Sequence, residues 1–257
     1  DELVKELFEF QEKLDLTNGR KRRKVSIGLY DMAGLKPPFY FRSLDADKTK
    51  FKPLKSGKAM SLNQILKEHD KGKEYAHLLS GLKKMPCLVD SNDEVLSLVP
   101  IINGESSAVT SKTKTIFIDH TGTDFDACNS SLNIVCAHLA GLGAKVSKAR
   151  IVYPQKAFWT PDDSPIVLSV KKSDVNKLLG LELSAKQIIE CLGRQRIDAS
   201  AQGELIKALV PAYRADFLHP ADLIEEIALG YGFDKFVALS PSVYTKGSLS
   251  AVTLKED

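Results

Sequence analysis

Several things are missing from this sequence of 257 residues. No apolar run approaches the ~20 residues that a helix needs to cross a bilayer, and no signal-peptide pattern opens the chain. The four cysteines, Cys87, Cys128, Cys136 and Cys191, lack the paired spacing of a zinc site or disulfide framework, which fits a reducing, cytoplasmic setting. Charge of one sign is scarce as well. With 36 basic and 33 acidic side chains the net charge is +3, far from that of a dedicated nucleic-acid binder. Any RNA contact must come from a local patch. No Ser-His-Asp arrangement, nucleophilic-cysteine motif or zinc-hydrolase spacing is present. The first residue is Asp1, and the apolar pattern of 248–257 stops without a cap, so the chain reads as a piece of a longer one.

What is there reads as two domains of mixed helix and strand. Leu3, Leu7, Phe10 and Leu14 fall on one face of an amphipathic helix. The basic run Arg20 to Lys24 reads as a solvated loop, with an RNA phosphate contact as the lesser alternative, ahead of a half-buried strand, Val25 to Tyr30. Ser61 caps a helix, and Cys87–Asp90 and Val95–Val99 flank a polar turn as the arms of a hairpin. A strand at 115–119 should end in a turn at 120–124, followed by a helix over 126–141 with Leu132, Val135, Cys136 and Leu139 inward. The proline-bearing stretch 159–165 is the expected linker. Beyond it come a strand (166–170), helices started by Ser173 and Ser184, two strands around Gln202-Gly203, and a helix from about Pro220 to Leu229. That order is the outline of a winged-helix module. Lys171, Lys172, Arg194 and Arg196 give it only a weak positive patch for duplex DNA.

Carboxylates gather near the last helix. Asp222, Glu225 and Glu226 have the spacing to share a helix face, and Asp216 precedes them on an extended segment. Hard oxygen ligands of this kind suit Mg²⁺ or Ca²⁺ rather than zinc. An acidic first turn that complements the helix dipole is the structural alternative.

The most specific motif is PAYRADFLHPADLIEEIALGYG at 211–232, which resembles the signature of phenylalanyl-tRNA synthetase beta chains. Two more segments resemble archaeal and eukaryotic-cytosolic members in the same order: RRKVSIGLYD at 22–31, and LSLVPIING at 96–104 followed by IFIDHTGTD at 116–124. Val99 stands where many members have a proline.

The resemblance implies an α+β chain: a mixed-sheet editing domain over 1–160, a small winged-helix-like module over 166–236, and the start of a catalytic-like module over 237–257. It implies that the first domain hydrolyses tyrosine wrongly attached to tRNA(Phe). Asn103, Asp119 and Thr121 would recognise the tyrosine hydroxyl or hold the attacking water, with Leu88 and Ser97 lining the pocket. It further implies a Mg²⁺ site on Asp216, Asp222, Glu225 and Glu226, shared with an alpha subunit in an assembly of two alpha and two beta chains. By the same resemblance, ATP activation and phenylalanine attachment would belong to the alpha subunit, and since the arginine-centred class II motifs are missing here this chain alone should not charge tRNA. Read without the resemblance, all five pocket residues have structural roles as core, strand, turn or cap positions. A noncatalytic scaffold that binds tRNA or the alpha subunit is the competing expectation.

Overall fold

The computed structural model describes residues 2–238 and 247–250. The module expected from 237 onward lies almost wholly outside them. The chain divides into two compact units, one of residues 1–166 with Pro211–Asp216, the other of Val167–Val210 with the chain from Phe217.

In chain order the first unit contains α1 (Glu2–Leu16), β1 (Val25–Asp31), β2 (Tyr40–Asp45), β3 (Lys50–Phe51), β4 (Met60–Ser61), α2 (Leu62–Glu68) and α3 (Asp70–Tyr75). Then follow β5 (Lys84–Val89), β6 (Val95–Leu98), β7 (Ile102–Asn103), β8 (Ile116–Gly122), α4 (Phe125–Gly141), β9 (Ala149–Val152) and β10 (Ala157–Thr160). Strands β2, β5, β6 and β7 form an antiparallel meander, while β1 pairs with β8 alone, also antiparallel.

Three apolar clusters hold this unit together. Helices α2 and α3 bury Leu62, Ile65 and Tyr75 against Cys87, Val89, Leu98 and Ile101. Helix α1 brings Leu7 and Leu14 onto Val25, Ile27, Leu29 and the α4 residue Val135. A third cluster joins Tyr30, Leu88, Leu96 and Val99. Ser61 makes the expected capping box with Gln64 at the head of α2. Leu3, expected inward, is exposed, because it precedes the turn that packs. Leu132 and Cys136 of α4 are half-buried and lie outside the α1–β1 cluster.

Two expectations fail at element ends. Residues 120–122 continue β8 rather than turning, since their backbone pairs with Val25–Ile27. Trp159 and Thr160 belong to the β9–β10 hairpin, so the irregular stretch starts only after Thr160.

The second unit contains β11 (Ile166–Lys171), α5 (Lys172–Leu179), α6 (Ala185–Arg194), β12 (Asp198–Gln202), β13 (Leu205–Val210) and α7 (Pro220–Tyr231). The sheet order is β11-β13-β12. Gly203 takes φ +64 at the β12–β13 turn, a backbone conformation that glycine enters without a steric cost. Strand β13 alternates buried and exposed residues, and Ile206, Ala208 and Val210 close the core with Ile188, Leu192, Leu223 and Ile227. Helix α5 starts one residue before Ser173, which therefore caps nothing; Lys171 is at the cap position. No helix among the described residues is long and apolar enough to cross a membrane.

Candidate functional site

A cavity of about 850 Å³ opens in the first unit. Its walls come from α1, from β1 and β8, and from the chain running from β6 to β7. Of the five residues expected to make a pocket, Ser97, Asn103, Asp119 and Thr121 line it. Leu88 does not. It pairs with Ser97 across β5 and β6 but is buried against Tyr30, Leu96 and Val99.

The β1–β8 ladder decides which side chains reach the cavity. Paired residues share a face, and successive residues alternate. Ser26 and Thr121, Gly28 and Asp119, and Tyr30 and Phe117 are partners, with Ile27–His120 and Leu29–Ile118 between them. Asp119 and Thr121 therefore face the cavity, and His120 faces α4. The His120 Nδ1 lies 2.7 Å from Ser131 Oγ, and burial pushes the imidazole down to about 3, so the ring stays neutral.

Asp119 is the electrostatic centre of the site. Burial pushes its carboxyl up to about 7. A hydrogen bond from Tyr30 opposes that rise, and the Asp15 charge adds to it. Its Oδ1 and the Thr121 Oγ1 are buried without a hydrogen-bond partner. Buried polar atoms in that state are uncommon in folded chains.

Gly28 makes room for this carboxyl. A Cβ there would lie 1.9 Å from Asp119 Oδ1 and 2.4 Å from the Tyr30 hydroxyl. A glycine inside a strand pattern marks such close approaches. That signal was available in the sequence, as Tyr30 beside it was not.

The free edge of β1 is sealed by side chains. Asn103 Nδ2 donates to Leu29 O at 3.1 Å, Gln11 Nε2 donates to Ile27 O at 2.7 Å, and the Ile27 amide donates to Asp15 Oδ1 at 3.1 Å. Asn103 is also the direct β7 partner of Ser97, so both stand in one row of the wall.

Part of the basic run proves structural rather than solvated. Arg22 Nε pairs with buried Asp15 at 3.0 Å, and its Nη1 donates to Pro100 O at 3.1 Å and Ile101 O at 2.9 Å. Its guanidinium also lies over the Tyr75 ring, 4.6 Å from the centroid. One side chain thus ties α1 and α3 to the segment leading into Asn103. Against that guanidinium, burial still pushes the Asp15 carboxyl up to about 6.

Residues 168–233 match the family described as the tRNA synthetase B5 domain. The phenylalanine–tRNA ligase beta subunit of Methanosarcina barkeri is 42% identical over 253 residues, 98% of this chain and 46% of that protein. The beta subunit of Methanothrix thermoacetophila is 41% identical over 248 residues, covering 96% and 46%. The solved N-terminal fragment of the phenylalanyl-tRNA synthetase beta subunit from Pyrococcus horikoshii superposes with a TM-score of 0.87 at 37% identity, covering 90% of this chain and 67% of that one. The chain belongs to the phenylalanyl-tRNA synthetase beta-subunit family. It spans about half the length of the curated relatives it matches.

In this member of the beta-subunit family the four carboxylates near α7 are held in different ways. Arg214 grips Asp216 with two bonds, Nη2 at 2.6 Å and Nε at 2.9 Å, and holds its carboxyl below the usual carboxylate range. Asp222 Oδ2 accepts from the Leu218 and His219 amides at 2.7 and 2.6 Å, and His219 caps α7 in return. Glu226 is buried and Glu225 is exposed, so they do not share a face as their spacing suggested. Among the described residues no three His, Cys, Asp or Glu side chains converge to hold a metal ion.

Proposed function

We propose that this chain carries the editing site of a phenylalanine–tRNA ligase beta subunit and hydrolyses tyrosine from mischarged tyrosyl-tRNA(Phe). One observation carries this reading. Four polar residues from three strands line one cavity of about 850 Å³, and two of their buried oxygens lack partners. That volume is in the range of small-molecule pockets.

The chemistry follows from what the groups can do. A carboxyl that titrates at about 7 accepts a hydrogen bond from a phenol hydroxyl when ionised and donates one when neutral. Phenylalanine has no hydroxyl and would leave Asp119 and Thr121 unpaired, at a cost of roughly 1–3 kcal/mol per group. No side chain here is an activated nucleophile, so the ester carbon is attacked by water. Asn103, fixed by its bond to Leu29 O, and Thr121 are placed to orient it. Burial pushes the thiol of Cys128 up to about 11, which leaves it unreactive at neutral pH.

The wider setting belongs to the same proposal. The chain works in the cytoplasm with an alpha subunit that activates phenylalanine with ATP, in an assembly of two alpha and two beta chains on tRNA(Phe). Mg²⁺ on Asp216, Asp222, Glu225 and Glu226 would require Arg214 and the α7 cap to release their carboxylates, a rearrangement that alpha-subunit contact would have to drive.

The test is deacylation of tyrosyl-tRNA(Phe) by this chain, with phenylalanyl-tRNA(Phe) as control. Selective hydrolysis of the tyrosyl ester, reduced at least about tenfold in Asn103→Ala, is expected. Hydrolysis of neither ester would favour a noncatalytic scaffold.

A further inference from the structure

Tyr30 stands out once the pocket residues are placed. It is 1% exposed, and its ring packs with Leu88, Leu96 and Val99 and lies 5.7 Å from the Phe117 ring. A phenylalanine would satisfy all of those contacts. The hydroxyl, 2.9 Å from Ser97 Oγ, instead shares the recess opened by Gly28 with Asp119 Oδ1.

Burying a phenol oxygen and a carboxyl together costs stability unless each gains a partner. Tyr30 gains Ser97, yet Asp119 Oδ1 stays unpaired. Such an arrangement brings the fold little and suits a site that completes itself with a ligand.

We infer that Tyr30 is a positioning residue of the editing site: its hydroxyl, held by Ser97, orients the Asp119 carboxyl so that one oxygen is left to meet the phenol hydroxyl of a tyrosyl ester. This deepens the editing reading and rests on it. The two groups also feel each other electrostatically. The Asp119 charge helps raise the Tyr30 phenol well above its ordinary value, and the Tyr30 hydrogen bond draws the Asp119 carboxyl down. Ser97 then acts through Tyr30 as its hydroxyl partner.

Tyr30→Phe tests this with two readouts that a packing role would leave alone. Carboxyl-detected NMR titration of Asp119 should show its midpoint rising above the wild-type value of about 7, because the carboxylate loses a donor. The ratio of kcat/KM for tyrosyl- over phenylalanyl-tRNA(Phe) should fall at least about tenfold. A midpoint unchanged in Tyr30→Phe overturns the inference, as does an unchanged ratio in an enzyme that does edit. Hydrolysis of neither ester by the wild-type chain would sink the editing reading instead, and the titration alone would then decide whether Tyr30 orients Asp119.

Discussion

The two units solve different problems with the same materials. The second closes one core: β13 buries every second residue, and helices α6 and α7 begin at capping boxes. Gly230 lets these helices meet closely, since a Cβ there would lie 2.1 Å from Cys191 O. The first spreads its apolar side chains over three clusters and leaves among its strands a cavity with polar side chains in an otherwise apolar wall. It also buries an aspartate oxygen and a threonine hydroxyl that its own core does not satisfy. Where burial and hydrogen bonding agree, a segment is there to fold; where they conflict, it is there to bind.

That contrast can be broken most sharply in the closed core. Leu223→Ala removes a fully buried side chain from the second unit and should cost about 2–5 kcal/mol in denaturant unfolding. A loss below about 1 kcal/mol would show that this core is not tightly packed.

The next test sharpens the conflict in the first unit. The Asp119 carboxyl moves from 3.8 to about 7 on folding, so the folded chain keeps its proton where the unfolded chain has lost it. The associated stability is complete below about pH 4 and is lost as pH rises through about 7. Asp119→Asn should remove this loss and gain up to about 4 kcal/mol on the wild type at pH 8 relative to pH 4. Parallel stability curves for the two proteins would contradict a buried, neutral-leaning carboxyl.

The smallest effect belongs to a helix end. Ser184 accepts from the Gln187 amide at 3.3 Å and completes the α6 capping box. Ser184→Ala should cost about 1 kcal/mol in thermal unfolding, with tyrosyl-ester hydrolysis unchanged. A change in hydrolysis would mean that this cap serves more than the second unit's fold.

Much of the second unit was legible because its signals are local. Ser184, Gly203 and Pro220 mark caps and a turn, and alternation along β13 marks its buried face. In the first unit β1, β5, β6, the start of β8, the Ser61 cap and α4 could be read the same way, whereas β2 and β3 fall in the proline-bearing stretch 37–53, which reads as an irregular connection. The β8 end could not, because His120-Thr-Gly looks like a turn in isolation and is held extended only by pairing with Val25–Ile27. The site was partly visible. Ser97, Asn103, Asp119 and Thr121 came from motif resemblance, whereas Arg22, Gln11, Asp15 and Tyr30 act through partners 12 to 79 residues away that no local pattern names. On α7, spacing alone was a poor guide to a shared face, since Glu226 is buried and Glu225 exposed.

The alternation in the β1–β8 ladder restricts how this chain can change length. A single residue inserted within either strand would exchange every cavity-facing side chain for its core-facing neighbour, sending His120 to the cavity and Asp119 into the packing of α4. No series of partly working forms connects the two registers. Length can drift in the connection between Asn103 and Ile116, which lies outside the ladder. Descendants of this sequence are therefore free to lengthen or shorten that loop, while the seven paired positions of each strand are inherited as one block.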